Sequence, residues 1–265
     1  MQKRTSSYLE VNGNGLQDIV SGFAWLIKLA QTDLSKRSAL LAIPLLKMLE
    51  VDIAPILGRQ AVAGLASGNE YRIETLLTLT VMTERKPRRE TWPGPILAVY
   101  PTRKLLDIID GMSEVTDLLV VTRKVWAIQY WINTWRVAPL GASPLPPARQ
   151  GVSRVLAAAL KTLTLRCKTS TEPAGAFDRA AVVSLFETLR RRGFAFDPVE
   201  VRAWLVAEGG WKPVEADEVR EIAAGVLAGK RFRIDRYEWS DHILEAWQAE
   251  ARREALGPNE RFGQR

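Results

Sequence analysis

Two short apolar runs in the middle of the chain are each followed by the same basic tripeptide. Residues 96–99 (ILAV) precede Thr102–Lys104, and residues 118–121 (LLVV) precede Thr122–Lys124. A threonine at a helix start can accept a hydrogen bond from a backbone N–H, which leaves other N–H groups free to bind an anion. With the neighbouring cations, these groups suit phosphate or a nucleotide. The candidate anion-binding residues are Thr102, Arg103, Lys104, Thr122, Arg123 and Lys124.

The segments around the tripeptides predict how they are positioned. Unbroken apolar runs are typical of strands that are covered on both faces, and residues 102–111 read as a helix that ends at Gly111. A strand, a helix and a strand in this order form a right-handed crossover with parallel strands. Both tripeptides would then lie at the carboxyl edge of the sheet, where ligands of open α/β sheets bind.

The alternative to anion binding is that these cations are simply exposed to solvent. A cation at a helix start faces like charge and costs about 0.3–1 kcal/mol when exposed. Asp107 follows Arg103 by four residues, and such a surface ion pair offsets about 0.2–0.5 kcal/mol. Residues 125–129 contain no acid within helical reach of Arg123. We therefore expect Arg123 and Lys124 to be the better ligands.

A second basic cluster lies on a predicted turn over residues 85–92. Cations beside an aromatic ring suit phosphate contact and base stacking, which makes this turn a candidate nucleic-acid site. Charge at such a turn can instead protect an edge strand from pairing with another chain. We place the turn at the opposite end of the sheet from the tripeptides, so that one continuous basic patch is not expected. The residues are Arg85, Lys86, Arg88, Arg89 and Trp92.

An aromatic-rich segment at 125–135 reads as a helix with two stripes. Ile128, Trp131, Ile132 and Trp135 share one face and are predicted to be core. Trp126 and Tyr130, four residues apart, form the second stripe. They could pack against the N-terminal helices or the second domain, or they could anchor a protein partner.

The predicted fold is an α/β N-terminal domain followed by an all-α C-terminal domain. Residues 71–83 alternate apolar and polar side chains, which indicates an antiparallel edge strand beside the two parallel strands of a short mixed sheet. The domains are predicted at 1–138 and 151–256, joined by the Pro-rich linker 139–150 and followed by a tail at 257–265. The helices are predicted at 16–31, 34–50, 54–66, 102–111, 125–135, 150–165, 178–192, 198–208, 214–229 and 240–254.

Composition excludes several kinds of chemistry. The chain has one cysteine, Cys167, and one histidine, His242, so a thiolate zinc site, an internal disulfide and a two-histidine metal site cannot be built from it. The sequence also lacks the common phosphate-loop, dinucleotide-binding and zinc-protease patterns. We predict no cofactor, no metal and no catalytic residues, and we expect His242 to be a surface or structural residue.

The net charge of +7 favours contact with nucleic acid, acidic proteins or anionic lipid without choosing among them. The start of the chain lacks the apolar segment of a signal peptide, and Lys47, Glu50 and Asp52 interrupt its most apolar stretch. We therefore expect a cytoplasmic protein with no membrane span. The abundance of Ala, Arg and Trp fits a GC-rich bacterial genome.

Three functional hypotheses follow from these residues. The first is a non-enzymatic binding or adaptor protein, whose helical domain contacts a protein partner and whose sheet edge contacts an anion such as phosphate or a nucleotide. The second is an enzyme that acts on a phosphorylated or nucleotide substrate. The third is a nucleic-acid-binding protein that uses the basic turn at 85–92.

Overall fold

The computed structural model describes residues 4–11, 13, 15–87, 90–142, 152–169, 178–233, 237–240 and 242–255. Its contacts divide the chain into an N-terminal unit, Met1–Pro146, and a C-terminal unit, Pro147–Arg265. The division falls inside the predicted linker 139–150. Residues 143–150 of that segment and the predicted tail lie outside the described part of the chain.

A seven-stranded mixed sheet forms the centre of the N-terminal unit. Its order is β3-β4-β2-β5-β6-β1-β7, and every neighbouring pair is parallel except β3 and β4. The parallel pairing predicted for the strands before the two tripeptides is confirmed, because Val99 lies in register with Val121. The strands are β1 (Thr5–Glu10), β2 (Ser38–Ala42), β3 (Tyr71–Ile73), β4 (Leu77–Met82), β5 (Pro95–Val99), β6 (Asp117–Thr122) and β7 (Ala138–Pro139).

The sheet is larger than predicted because three strands, β1, β2 and β7, lie where none was expected; β7 lies at the boundary between the predicted first domain and the predicted linker. β1 precedes the first predicted helix, and the helix predicted at 34–50 is wrong. That segment forms a 3₁₀ turn (Leu34–Lys36), then β2, then a π-helical turn (Leu49–Ile53). β2 pairs with β4 on one side and β5 on the other, so its backbone groups are satisfied within the sheet.

Helices cover both faces of the sheet. Helices α1 (Gly15–Thr32), α2 (Ala54–Leu57) and α3 (Arg59–Ala66) lie on one face, where they pack with side chains such as Leu97. Helices α4 (Arg103–Asp110) and α5 (Gln129–Trp135) lie on the other face, with their neighbours in a second core. Successive residues of a strand point to opposite faces, so the unbroken apolar runs serve both layers.

The predicted edge strand at 71–83 is two strands. A turn at Glu74, whose φ is +53°, separates β3, the antiparallel edge, from β4. β4 runs parallel to β2, and its carboxyl end therefore lies at the same edge as those of β5 and β6. The basic turn after β4 consequently lies at the edge that carries the tripeptides, and its predicted position at the opposite end is wrong.

The C-terminal unit is helical in its described part, close to the predicted bounds. Asp197 caps α8 by accepting from the N–H of Val199, and Pro198 occupies the first helical position. The described residues of 231–239 contain no strand. Within the described ranges, no helix of the chain is both long and apolar enough to cross a membrane. The helices are α6 (Arg154–Thr169), α7 (Arg179–Arg191), α8 (Pro198–Ala207), α9 (Pro213–Leu227) and α10 (Ile243–Ala255).

Candidate anion-binding edge of the sheet

The carboxyl ends of β2 and β5 form a topological switch point. The chain leaves β2 for β4 through α2 and α3 on one face, whereas it leaves β5 for β6 through α4 on the opposite face. The two connections diverge to opposite sides of a neighbouring pair of strands. In open parallel sheets such a divergence opens a crevice at the carboxyl ends, and ligands bind in it.

Tyr100 lies at this point in an unusual backbone conformation. Its φ is +48°, in the left-handed region that non-glycine residues rarely adopt. Its hydroxyl donates to the carbonyl of Gly15 at the start of α1, over 3.4 Å. The guanidinium of Arg123 lies over its ring, 4.2 Å from the centroid. Tyr100 thus joins the ends of β5 and β6 to the start of α1.

The first tripeptide behaves largely as predicted. The Thr102 hydroxyl accepts from the N–H of Leu105 and caps α4, and it also donates to the Glu84 carboxylate from the turn after β4. Arg103 forms the expected ion pair with Asp107, at 3.6 Å. The Glu84 contact shows directly that the basic turn and the first tripeptide lie side by side.

The second tripeptide differs from its prediction in two ways. Thr122 does not cap a helix; its hydroxyl accepts from the N–H of Lys124, and a 3₁₀ turn (Val125–Ile128) follows before α5. Arg123 has an acidic partner, because Asp52 from the π-helical turn lies 3.3 Å from its guanidinium. The prediction that no acid lies within reach considered only the following helix, whereas the partner comes from a distant segment.

Exposed cations follow the carboxyl ends of four neighbouring strands, β4, β2, β5 and β6. We call this set the basic row. Lys47, after β2, was not among the predicted residues. Because residues 34–50 were predicted to form one helix, Lys47 was not expected to follow a strand. Arg88 and Arg89 lie outside the described residues. The row consists of Arg85, Lys86, Lys47, Arg103, Lys104, Arg123 and Lys124.

Acids reduce the charge of the basic row without cancelling it. Glu84 is bonded to Thr102, and Asp52 is paired with Arg123, whose side chain is nevertheless 64% exposed. In the part of the chain that the structure describes, Lys104 and Lys124 form no ion pair. Each tripeptide therefore has an ammonium group, on Lys104 or Lys124, that none of the described acids neutralises and that could contact an anion.

The aromatic candidates separate into structural and exposed residues. Trp92 is half-buried and donates its indole N–H to the carbonyl of Pro95, so it has a packing role. Tyr130 donates to the carbonyl of Arg103, whose guanidinium lies 4.9 Å from its ring centroid. Trp126 is 73% exposed, and the Lys124 ammonium lies 5.4 Å from its ring. The predicted packing of Trp126 against the N-terminal helices is therefore wrong.

The described ranges also contain the single cysteine, the single histidine and acids that could bind a metal. No group of three or more His, Cys, Asp or Glu side chains is placed there to hold a metal ion. Burial raises the pKa of the Cys167 thiol, which disfavours the reactive thiolate. The side chain of His242 is 85% exposed beside Glu245, as expected for a surface residue. An open cavity of about 460 Å³ lies at the start of α3, and its lining residues, which include Arg59 and Tyr71, contain none of the tripeptide residues.

Comparison with known proteins relates only the C-terminal unit to a described family. Residues 152–248 match a domain of unknown function, DUF1889. The comparisons with curated proteins and with solved structures find no match. The sheet and its basic row lie outside the matched residues.

Proposed function

We propose that the chain is a cytoplasmic, non-enzymatic binding protein that holds a phosphate-bearing anion at the carboxyl edge of its sheet. The observation that carries this proposal is the coincidence of the β2/β5 switch point with the basic row. Either feature alone is common. Together they place cations around the crevice that parallel sheets use for ligands, and they add attraction for negative charge.

The start of α4 adds directed hydrogen-bond donors to this edge. Thr102 satisfies the N–H of Leu105, while other N–H groups of the first turn have no partner within the helix. Arg103 and Lys104 occupy that turn and are exposed. Cations at a helix start are unfavourable by themselves, and a bound anion would offset this cost.

The helical unit is proposed to contact a protein partner. Its described residues include large apolar side chains that remain exposed, such as Leu165 at 65% and Val214 at 69%. We expect a protein partner to co-purify with the wild-type chain but not with Val214→Asp, because burying an unpaired charge in the contact is unfavourable. The measurement is mass spectrometry of the purified complexes, with the exposed Glu218→Gln as control. Equal recovery from Val214→Asp and wild type would reject docking at this position.

The anion proposal predicts that Asp52→Asn strengthens anion binding. Asp52 competes with an incoming anion for Arg123, which lies 3.3 Å from it. Removing this acid should tighten binding of inorganic pyrophosphate by about three- to tenfold, as expected for the loss of roughly 1 kcal/mol of competition near the surface. The measurement is the rise in melting temperature with pyrophosphate concentration.

Two further variants complete this test. Lys104→Ala/Lys124→Ala should weaken pyrophosphate binding, whereas Lys28→Ala/Arg72→Ala should not. The latter pair removes equal charge from exposed positions near the other edge of the sheet. If pyrophosphate fails to stabilise the wild-type chain, or if the two double variants respond equally, the carboxyl edge is not an anion site.

A further inference from the structure

We propose that the ligand of this edge is single-stranded nucleic acid, with phosphates along the basic row and a base stacked on Trp126. This inference rests on the proposed function and specifies its ligand. It depends on two observations: the width of the basic row and the exposure of Trp126.

The basic row is too wide for one phosphate. It follows four adjacent strands, and neighbouring strands lie about 4.8 Å apart, so the row spans about 14 Å. Stacked nucleotides place one phosphate per strand about every 3.4 Å along the axis. The row is therefore wide enough for several consecutive phosphates of one strand. A small anion would contact only one or two of its strand ends.

The basic row is continuous because the four strands that its cations follow are neighbours and run parallel. Because β4 is parallel to β2 and next to it, Arg85 and Lys86 follow the carboxyl end of the strand next to the one that Lys47 follows. The next positions along the sheet belong to the two tripeptides. The bond from Thr102 to Glu84 keeps the turn after β4 against the start of α4. One strand of nucleic acid could thus bind across these neighbouring loops, with its phosphates along the basic row.

Trp126 supplies an exposed aromatic face on which a base can stack, which a phosphate-binding surface alone lacks. The side chain of Trp126 is 73% exposed, whereas that of Trp131, in the following helix α5, is fully buried. Among the described residues, the ring of Trp126 makes a cation–π contact with the Lys124 ammonium, and its indole N–H has no hydrogen-bond acceptor. A base can stack on such a ring whatever its identity, and Lys124 would bring a phosphate contact to the same place.

The exposed ring favours a single strand over a duplex. A base that is paired and stacked within a duplex presents its edge rather than its face to a protein, whereas unpaired bases can stack on aromatic side chains. The basic row is also formed mainly by loops, without a long exposed helix that could enter a major groove. Among the described residues of the helical unit, α9 instead exposes Glu218 and Glu221.

The test measures fluorescence anisotropy of a labelled oligothymidylate of about 12 nucleotides, within the site sizes usual for such proteins. The protein is the full chain. We expect Trp126→Ala to weaken binding by about tenfold, the loss usual for one stacked base, and Trp126→Phe to bind within about threefold of wild type. Trp126 is exposed, so neither variant should change the melting temperature of the free protein.

The charge contribution is tested by salt titration of the same complex. The slope of log K against log salt should fall in magnitude by about 1.4 in Lys104→Ala/Lys124→Ala, about 0.7 for each lost phosphate contact on a single strand. The slope of Lys28→Ala/Arg72→Ala should match that of wild type. These two variants remove the same charge, so the comparison isolates position from net charge.

If the oligonucleotide binds, three outcomes of these measurements still overturn this inference. They are unchanged binding in Trp126→Ala, equal weakening in the two double-cation variants, and tighter binding of a duplex of the same length. The ligand class fails alone if pyrophosphate stabilises the chain but the oligonucleotide does not bind. If neither ligand binds, the proposed function fails with it.

Discussion

Replacing Asp110 by alanine is expected to lower the free energy of unfolding of the N-terminal unit by about 3–5 kcal/mol, the cost typical of breaking a buried ion pair from one side. The side chains of Asp110 and its partner Arg4 are only 1% and 7% exposed. Asp110 also accepts indole N–H groups from Trp131, at 3.2 Å, and Trp135, at 2.9 Å. The substitution would leave a buried guanidinium and two indole N–H donors without this acceptor.

The measurement is denaturant unfolding of the full chain, with indole fluorescence as the signal. Asp107→Ala is the matched control, because Asp107 lies one turn earlier in α4 and its partner Arg103 is 47% exposed. We expect the control to cost no more than about 1 kcal/mol. Asp110→Asn should lie between the two, since it keeps one oxygen acceptor. A loss below about 1 kcal/mol for Asp110→Ala would show that Arg4 finds water or another partner.

Replacing Trp247 by alanine is expected to destabilise the C-terminal unit by about 3–5 kcal/mol, as for other fully buried aromatic residues. Trp247 is 1% exposed on α10, and its indole N–H donates to the Thr162 hydroxyl on α6 over 3.0 Å. Its ring also meets that of Trp239 edge-on, with centroids 6.0 Å apart. Deletion would open a cavity between the two helices and leave the Thr162 contact unmade.

Trp247→Phe separates packing from hydrogen bonding in this test. It keeps most of the ring but loses the N–H donor, so it should cost about 1–2 kcal/mol. His242→Ala serves as the surface control and should leave unfolding unchanged, because its side chain is 85% exposed. A Trp247→Ala variant as stable as this control would mean that α10 contributes little to the unit.

The C-terminal helices illustrate what local sequence predicts well. α8 (Pro198–Ala207) lies within the predicted helix at 198–208, and it begins at the cap Asp197 and its following proline. Capping and apolar periodicity act within one or two turns, so each can be interpreted from neighbouring residues. Within 125–135 the core stripe was also correct for Ile128, Trp131 and Ile132, which are buried.

The candidate site was predicted only in part, because its members come from distant segments. The two tripeptides were expected to share one edge, and the in-register pairing of β5 with β6 brings them together. Lys47 was missed with β2, and the Asp52 partner of Arg123 is 71 residues away in sequence. No local pattern predicts such an ion pair, since it depends on which loops the fold places side by side.

The sequence by itself determined which segments are buried, where most helices begin and end, and that the chain combines an α/β part with a helical part. Only the tertiary structure decided the strand order, and with it the position of the basic turn at the carboxyl edge. Apolar periodicity reports whether a residue is covered, but not by which segment. Strand order depends on backbone pairing between remote segments and on the face that each crossover takes.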